Sequence, residues 1–226
     1  MVLNIFLTAS LSYLIGAFPV GWIVVKLLTG GDVREVGSGR VGGTNVMRAA
    51  GFLAGLVTAL MDVGKGILAG IVAVWLMPGN HWVKFLAVTM AVVGQIFSIF
   101  LVEKGADGKL HLHGGAGGST TLGGTIALWP GSCIILLPLV VLVYGLGGYA
   151  SVTTISIAFF SLILFGYRAI FYSGPWEYVL YGAVSLVIVL QALAPNIKRL
   201  KAGTERVVGL RAWLLKKKNQ AIKQES

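Results

Sequence analysis

Residues 52–77 read FLAGLVTALMDVGKGILAGIVAVWLM, and the fold class turns on how this stretch is taken. Apart from Asp62 and Lys65 the run is apolar or small, and a helix needs only about 20 such residues to cross a hydrocarbon core about 30 Å thick. A membrane span is therefore the simplest reading. Asp62 and Lys65 stand three residues apart, which puts them on one helix face. Ionisable side chains are costly inside a bilayer and face a partner or a polar cavity. An internal ion pair accounts for these two, and the functional alternative is that they brace the loop before them.

Comparable runs fill the rest of the chain, at residues 3–28, 82–102, 118–129, 132–147, 152–171 and 176–194. The expected fold is an all-α polytopic membrane protein of about seven transmembrane helices. The piece at 118–129 is short for a span and ends at Pro130-Gly131, a strong helix breaker. Composition agrees with membrane insertion: of 226 residues, 56% are hydrophobic and 12% charged, and the mean hydropathy is +0.86, far outside the range of soluble domains. The first run lacks a basic leading segment and an A-x-A-like cleavage site, so it reads as a retained span. Cys133 is the one cysteine and sits in an apolar run, which excludes a disulfide framework and a thiolate metal cluster.

Charge orients the helices. Cytoplasmic loops carry the Lys and Arg excess of membrane proteins. With the N-terminus outside and seven spans, Arg34, Arg40, Arg48, Lys104, Lys109 and the basic C-terminal residues fall on the cytoplasmic side, leaving Lys84 and Arg168 outside. Six spans would strand the C-terminal tail opposite the first two polar loops, so charge favours seven. The net charge of +10 flanks apolar spans rather than interleaving with aromatics, which fits lipid head groups and not nucleic acid. Residues 198–223 hold nine Lys or Arg, each contributing about 1 kcal/mol against anionic lipid. No repeat or linker divides the chain, which reads as a single membrane domain over 1–226, with 206–226 a basic cytoplasmic tail.

Two loops concentrate glycine. The first, Gly30 to Arg48, contains GSGRVGGTNVMR and so a G-x-G-x-x-G. It follows a membrane helix instead of a strand and no βαβ pattern surrounds it, so a dinucleotide site is excluded. The chemistry still suits a phosphate-sized anion: glycines free backbone N–H groups, Ser38, Thr44 and Asn45 add neutral donors, and Arg48 adds a planar cationic fork. The competing reading is a flexible connection with a basic flank. The second loop, Glu103 to Gly123, offers a similar glycine run at a helix start. Its His111 and His113 lack the carboxylate or thiolate that would complete a metal site. A third polar segment, NIKRLKAGTE at 196–205, follows the last span directly and read alone is a basic interfacial segment closed by a turn.

In this order, GSGRVGGTNVMR at 37–48, DVGKG at 62–66, GQIFSIF at 94–100 with GGAGGSTTLG at 114–123, and NIKRLKAGTE at 196–205 resemble the bacterial acyl-phosphate-dependent glycerol-3-phosphate acyltransferase family. That family comprises small seven-span membrane enzymes making lysophosphatidic acid, and the resemblance covers nearly the whole chain. It implies a bacterial inner-membrane location with the active loops facing the cytoplasm, glycerol-3-phosphate and acyl phosphate as partners beside membrane lipids, no cofactor or metal, and a monomer. On matching positions it implies that Ser38, Arg48 and Asn196 serve the reaction. It assigns substrate binding to Gly42, Thr44, Asn45, Gly114 and Gly115, with Ser151 and Thr154 from a polar turn before the sixth span and Glu205 bracing its loop.

The chain departs from the family where the second loop should read FKGGKGVAT. Extra residues at 105–113 follow Lys104, and Ala116 stands in place of the second lysine. The family's histidine three residues before the asparagine is Leu193, and its G-H-x-F-P is Gly94-Gln95-Ile96-Phe97-Ser98. Lys104 or Lys109 reaching back to the phosphate, and His111 or His113 replacing the imidazole, would compensate. The reaction the family implies needs no protein nucleophile, in keeping with the lack of a Ser/His/Asp set. Two other readings stay open: a family homologue whose chemistry is lost or redirected to binding phosphate or lipid, and a small anion transporter, which would favour helices broken at mid-membrane.

Overall fold

A computed structural model of the chain describes residues 1–105, 108–215 and 217. Its helices are α1 (Val2–Ala17), α2 (Val20–Thr29), α3 (Gly43–Ala50), α4 (Phe52–Leu76), α5 (His81–Ile96), α6 (Gly118–Leu128), α7 (Ser132–Leu142), α8 (Ala150–Phe171), α9 (Trp176–Ala192) and α10 (Ala194–Lys201). Two three-residue strands, β1 (Val102–Lys104) and β2 (Leu110–Leu112), interrupt the helical pattern. Four segments are long and apolar enough to cross a membrane: Val2–Thr29, Phe52–Leu76, His81–Leu101 and Ala150–Phe171. A fifth is counted if α9 and α10, bent by 65° from each other, form one span. The expected seven segments are all present as helix, but α6 has only 11 residues and α7 another 11 before it loosens into a wide turn over Val143–Gly147.

The run at 3–28 breaks where Pro19, lacking an N–H, cannot continue α1. The carbonyls exposed by the break find side-chain donors: Lys65 Nζ bonds Phe18 O at 2.5 Å and Ser98 Oγ bonds Ala17 O at 2.5 Å. Lys65 also forms the expected pair with Asp62, at 2.8 Å, and Gln95 spans both, accepting from Lys65 Nζ at 2.7 Å and donating to Asp62 Oδ2 at 2.9 Å. These charges are buried and mutually satisfied. The ion pair reading therefore holds, and what the pair braces is the α1–α2 break and Gln95 on α5.

Small residues set the helix spacing. A Cβ on Gly123 would lie 1.9 Å from Val63 O, and one on Gly66 would lie 2.3 Å from Thr120 O, so α4 and α6 touch backbone to backbone. Gly16 against Ala91 O and Gly94 against Tyr13 O do the same for α1 and α5. Close approach through glycine replaces the hydrophobic driving force that lipid does not supply. Val88, Val92, Leu128, Phe165, Tyr178 and Tyr181 fill the centre between α5, α6, α8 and α9, and Tyr181 satisfies its hydroxyl on Thr121 O at 2.9 Å.

Candidate active site

The first loop is organised around one amide. Asn45, 3% exposed in the first turn of α3, donates from Nδ2 to Val33 O, Val36 O and Arg40 O at 2.8–2.9 Å, and accepts Ser38 N at 3.1 Å on Oδ1. The loop wraps tightly enough that Gly37 and Gly39 take left-handed conformations (φ 59° and 72°), which glycine adopts without steric cost. A Cβ on Gly37 would collide with Asn45 Oδ1 at 2.3 Å. Asp32 closes the base of the loop: it accepts from Arg34 at 2.6 Å and from Trp22 Nε1 at 3.1 Å. Those bonds, the Arg34 side chain foremost, hold its carboxyl well below the usual carboxylate range.

The second loop separates into two parts. Val102–Lys104 and Leu110–Leu112 pair as an antiparallel ribbon, Val102 with Leu112, Glu103 with His111 and Lys104 with Leu110. Glu103 ties this ribbon to the first loop through Arg34 and receives His113 Nε2 at 3.1 Å. Inserted Ala106 and Asp107 lie outside the described residues. The ribbon thus carries Lys104 and Lys109 on an exposed hairpin that contributes nothing to the cavity wall, and His111 and His113 are equally absent from it. The compensation expected from these four side chains is not what the structure assembles, because residues 110–112 of the insertion pair with Val102–Lys104 before it and hold the lysines on the ribbon. Gly114 and Gly115 then return against α5: Gly115 N donates to Gln95 O at 2.8 Å, Gly114 O accepts Val41 N at 3.3 Å, and a Cβ on Gly114 would lie 2.3 Å from Ile96 O. They do not line the cavity themselves; they let the chain pass behind it. Gly117, left-handed at φ 83°, turns it into α6.

The third segment comes from the bend between α9 and α10. Asn196 Nδ2 donates to Glu205 Oε1 at 2.8 Å, and Glu205 Oε2 accepts Arg199 Nε at 3.2 Å. Asn196 Oδ1 is buried with no hydrogen-bond partner among the described residues, and the same is true of Ser151 Oγ and Thr120 Oγ1. Tyr149, not Ser151 or Thr154, is the N-cap residue of α8.

These pieces surround one cavity of about 610 Å³. Its apolar lining includes Phe52, Leu56, Val140, Val141 and Ile157. Its polar lining gathers Ser38, Gly42, Thr44, Asn45, Arg48, Ser151, Thr154, Asn196 and Glu205, all expected at the site, with the N-terminal turns of α3, α6 and α8. It also gathers Arg40, Arg199 and Arg206, which sequence reasoning used only as topological charge. Their signal was available, since Arg40 lies within the first glycine motif and Arg199 within the third segment. Glu205 pairs with Arg199; among the described residues Arg40, Arg48 and Arg206 have no ion-pair partner. Burial first, then Arg206, lowers Arg48 from its ordinary value, and burial followed by Arg199 does the same for Arg40. Guanidinium remains charged under such pressure, and the single Glu205 carboxylate only partly offsets four arginines, so the cavity carries net positive charge beside helix N-termini, suited to anions. Ala116 and Leu193 line the same cavity as apolar surface. Among the described residues no group of three or more His, Cys, Asp or Glu is placed to hold a metal ion.

A cavity lined by both an arginine cluster and aliphatic side chains, in a fold of apolar helices, defines a class of membrane protein suited to an anionic ligand that carries an apolar chain. The model of the glycerol-3-phosphate acyltransferase family matches residues 6–203. Among similar proteins, glycerol-3-phosphate acyltransferase 2 of Moorella thermoacetica is 36% identical over 208 residues, covering 91% of this chain and 98% of its own. The glycerol-3-phosphate acyltransferase of Chlorobium phaeobacteroides is 33% identical, covering 90% and 96%. The crystal structure of PlsY, an integral membrane glycerol 3-phosphate acyltransferase, in its glycerol 3-phosphate form superposes with a TM-score of 0.80 at 26% identity, over 93% of this chain and 98% of that one. Its lysophosphatidic acid form gives 0.78 at 24% identity and speaks to the fold. The chain belongs to the glycerol-3-phosphate acyltransferase family, and it is an enzyme of that family in an integral membrane fold.

Proposed function

We propose that the cavity binds glycerol-3-phosphate and a fatty acyl phosphate together and transfers the acyl group between them. The observation that carries this reading is that four arginines and a set of apolar side chains line one and the same cavity. The glycerol hydroxyl oxygen attacks the acyl carbonyl carbon, the bond from that carbon to the phosphate oxygen breaks, inorganic phosphate leaves with the hydroxyl proton, and lysophosphatidic acid remains. Arg48, the N-terminal turn of α3 at Gly42 and the Ser38 and Thr44 side chains neutralise phosphate charge. Asn196 Oδ1, held toward its task because Glu205 occupies Nδ2, accepts the attacking hydroxyl. Ser151 and Thr154 add hydroxyl contacts from α8. Asn45, whose amide is fully engaged within the loop, shapes the site without touching substrate. Aliphatic side chains of α4, α7 and α8 take the acyl chain from the membrane.

The same reading places the N-terminus outside, the active loops and C-terminus in the cytoplasm, and seven passes through a bacterial inner membrane. The Lys and Arg distribution supports it, and α6, whose residues are mostly buried among neighbouring helices, is a pass that lipid need not cover. The enzyme acts as a monomeric single domain beside anionic lipid; Lys216, Lys218 and Lys223 of its basic tail lie outside the described residues. Purified protein given labelled glycerol-3-phosphate should form labelled lysophosphatidic acid only when acyl phosphate is supplied, and Arg48→Ala should abolish the product. Well-folded protein yielding no product would move the reading to a homologue of redirected chemistry.

A further inference from the structure

Arg40 is one of three cavity cations without an ion-pair partner among the described residues, and its one hydrogen bond there is to the C-terminal carbonyl of α9. It leaves the first loop between left-handed Gly39 and buried Val41 and crosses to the end of α9, where Nη2 donates to Ala192 O. That bond uses one of five N–H donors; the others have no partner among the described residues. The neighbouring residue, Leu193, is buried and apolar, and Ala116 also lines the cavity without charge. Arg199 adds like charge, and Glu205, bonded to Arg199 and Asn196, offsets Arg40 only in part and makes no ion pair with it. A half-buried guanidinium beside another cation and between apolar surfaces is destabilising unless an anion completes it.

We infer that Arg40 holds a substrate phosphoryl group, supplying from the first loop the positive charge that Ala116 and Leu193 do not. Arg48 then serves a phosphoryl group beside Arg206 and Tyr144, and Arg40 one beside Leu193 and Arg199, so the two phosphates of the proposed reaction each meet a guanidinium fork. The inference rests on the proposed function for which substrate is held, and on the cavity alone for the binding of phosphate.

Calorimetric titration of the detergent-purified full chain with inorganic phosphate and glycerol-3-phosphate tests it, comparing wild type, Arg40→Gln and Arg40→Gln/Ala116→Lys. Loss of one charge-assisted fork weakens binding about tenfold or more, and the lysine placed in the same cavity by the second substitution recovers most of that affinity. Recovery separates a charge role from the bond to Ala192 O, which a lysine at 116 does not replace. Acyl transfer by the same proteins assigns the source: a raised KM for glycerol-3-phosphate or for acyl phosphate names the phosphate that Arg40 holds. Phosphate binding lost in Arg40→Gln and recovered by Ala116→Lys would sustain the inference even in a wild type that transfers no acyl group. Undiminished binding and unchanged KM values in Arg40→Gln would overturn it, as would a loss accompanied by a lower Tm and no recovery by Ala116→Lys.

Discussion

Removing the Asn45 side chain should collapse phosphate binding without removing any group that touches phosphate. Its amide holds three carbonyls and one N–H of the loop spanning Val33 to Arg40, at 2.8–3.1 Å. Each bond is worth about 1 kcal/mol net, and polar groups left buried add to the loss. Since two amide hydrogens serve three carbonyls, Asn45→Ala costs the loop about 3 kcal/mol, a factor of about 150 in its order–disorder equilibrium. The affinity that substrate shows falls by the fraction of loops remaining closed. Asn45→Asp is the sharper test. The replaced Nδ2 becomes a carboxylate oxygen facing three carbonyl oxygens at hydrogen-bond distance, so the isosteric variant should be worse than alanine. Hydrogen exchange over residues 33–45 and the KM for glycerol-3-phosphate report the loop and the site separately. An Asn45→Asp enzyme with wild-type protection and a KM within threefold of wild type would refute the bracing argument.

Other substitutions separate packing from charge. Lys65→Met leaves Asp62 buried without its counterion and removes one of the two donors to Phe18 O, the Val20 N–H remaining, which should lower stability by about 3–5 kcal/mol; Asp62→Asn/Lys65→Met should cost less than Lys65→Met alone, measured by thermal unfolding in detergent. Gly123→Ala gains about 1 kcal/mol of helix propensity, but its Cβ would lie 1.9 Å from Val63 O. That clash with backbone cannot be relieved by a rotamer and costs about 1–3 kcal/mol, so a Tm equal to or above wild type would contradict the packing of α4 on α6. Ala116→Lys in the otherwise native chain should raise acyl transfer if the cavity is short of charge, and no change would mean that Arg40 already suffices.

The helices were legible because the bilayer enforces a simple code: about 20 apolar residues make a span, and among the described residues four of the expected runs, or five with α9 and α10 taken together, are helical and long enough to cross, while α6 and α7 are helical but short. Interruptions were less legible. The break at Pro19 sits inside an apolar run, and only three-dimensional contact shows that Lys65 and Ser98 satisfy its carbonyls. Glycine motifs marked the loops, but their packing needed three dimensions: Gly114 passes behind the cavity, and Asn45 lines it while its amide bonds within the first loop. The inserted lysines and histidines misled for a related reason. Residue type and proximity in sequence put Lys104 beside the site, whereas pairing of β1 with β2 keeps it on an exposed ribbon.

Arg40 shows why such departures from a motif must be read against the whole cavity. A missing lysine and a missing imidazole remove positive charge at two points, but phosphate binding depends on the field inside a low-dielectric enclosure more than on which backbone position supplies the cation. An arginine has the reach to cross from the first loop to α9, and replacing a bulky polar side chain by Leu193 leaves a packed, apolar surface against which a planar guanidinium can lie. On this argument Leu193→His introduced alone should not improve phosphate affinity, because the added imidazole shares its surroundings with Arg40 and Arg199; in Arg40→Gln the same substitution should restore affinity in part, most strongly below pH 6.5, where imidazole is protonated. Equal effects of Leu193→His in the two backgrounds, measured by phosphate titration at pH 6 and pH 8, would show that the positions act independently.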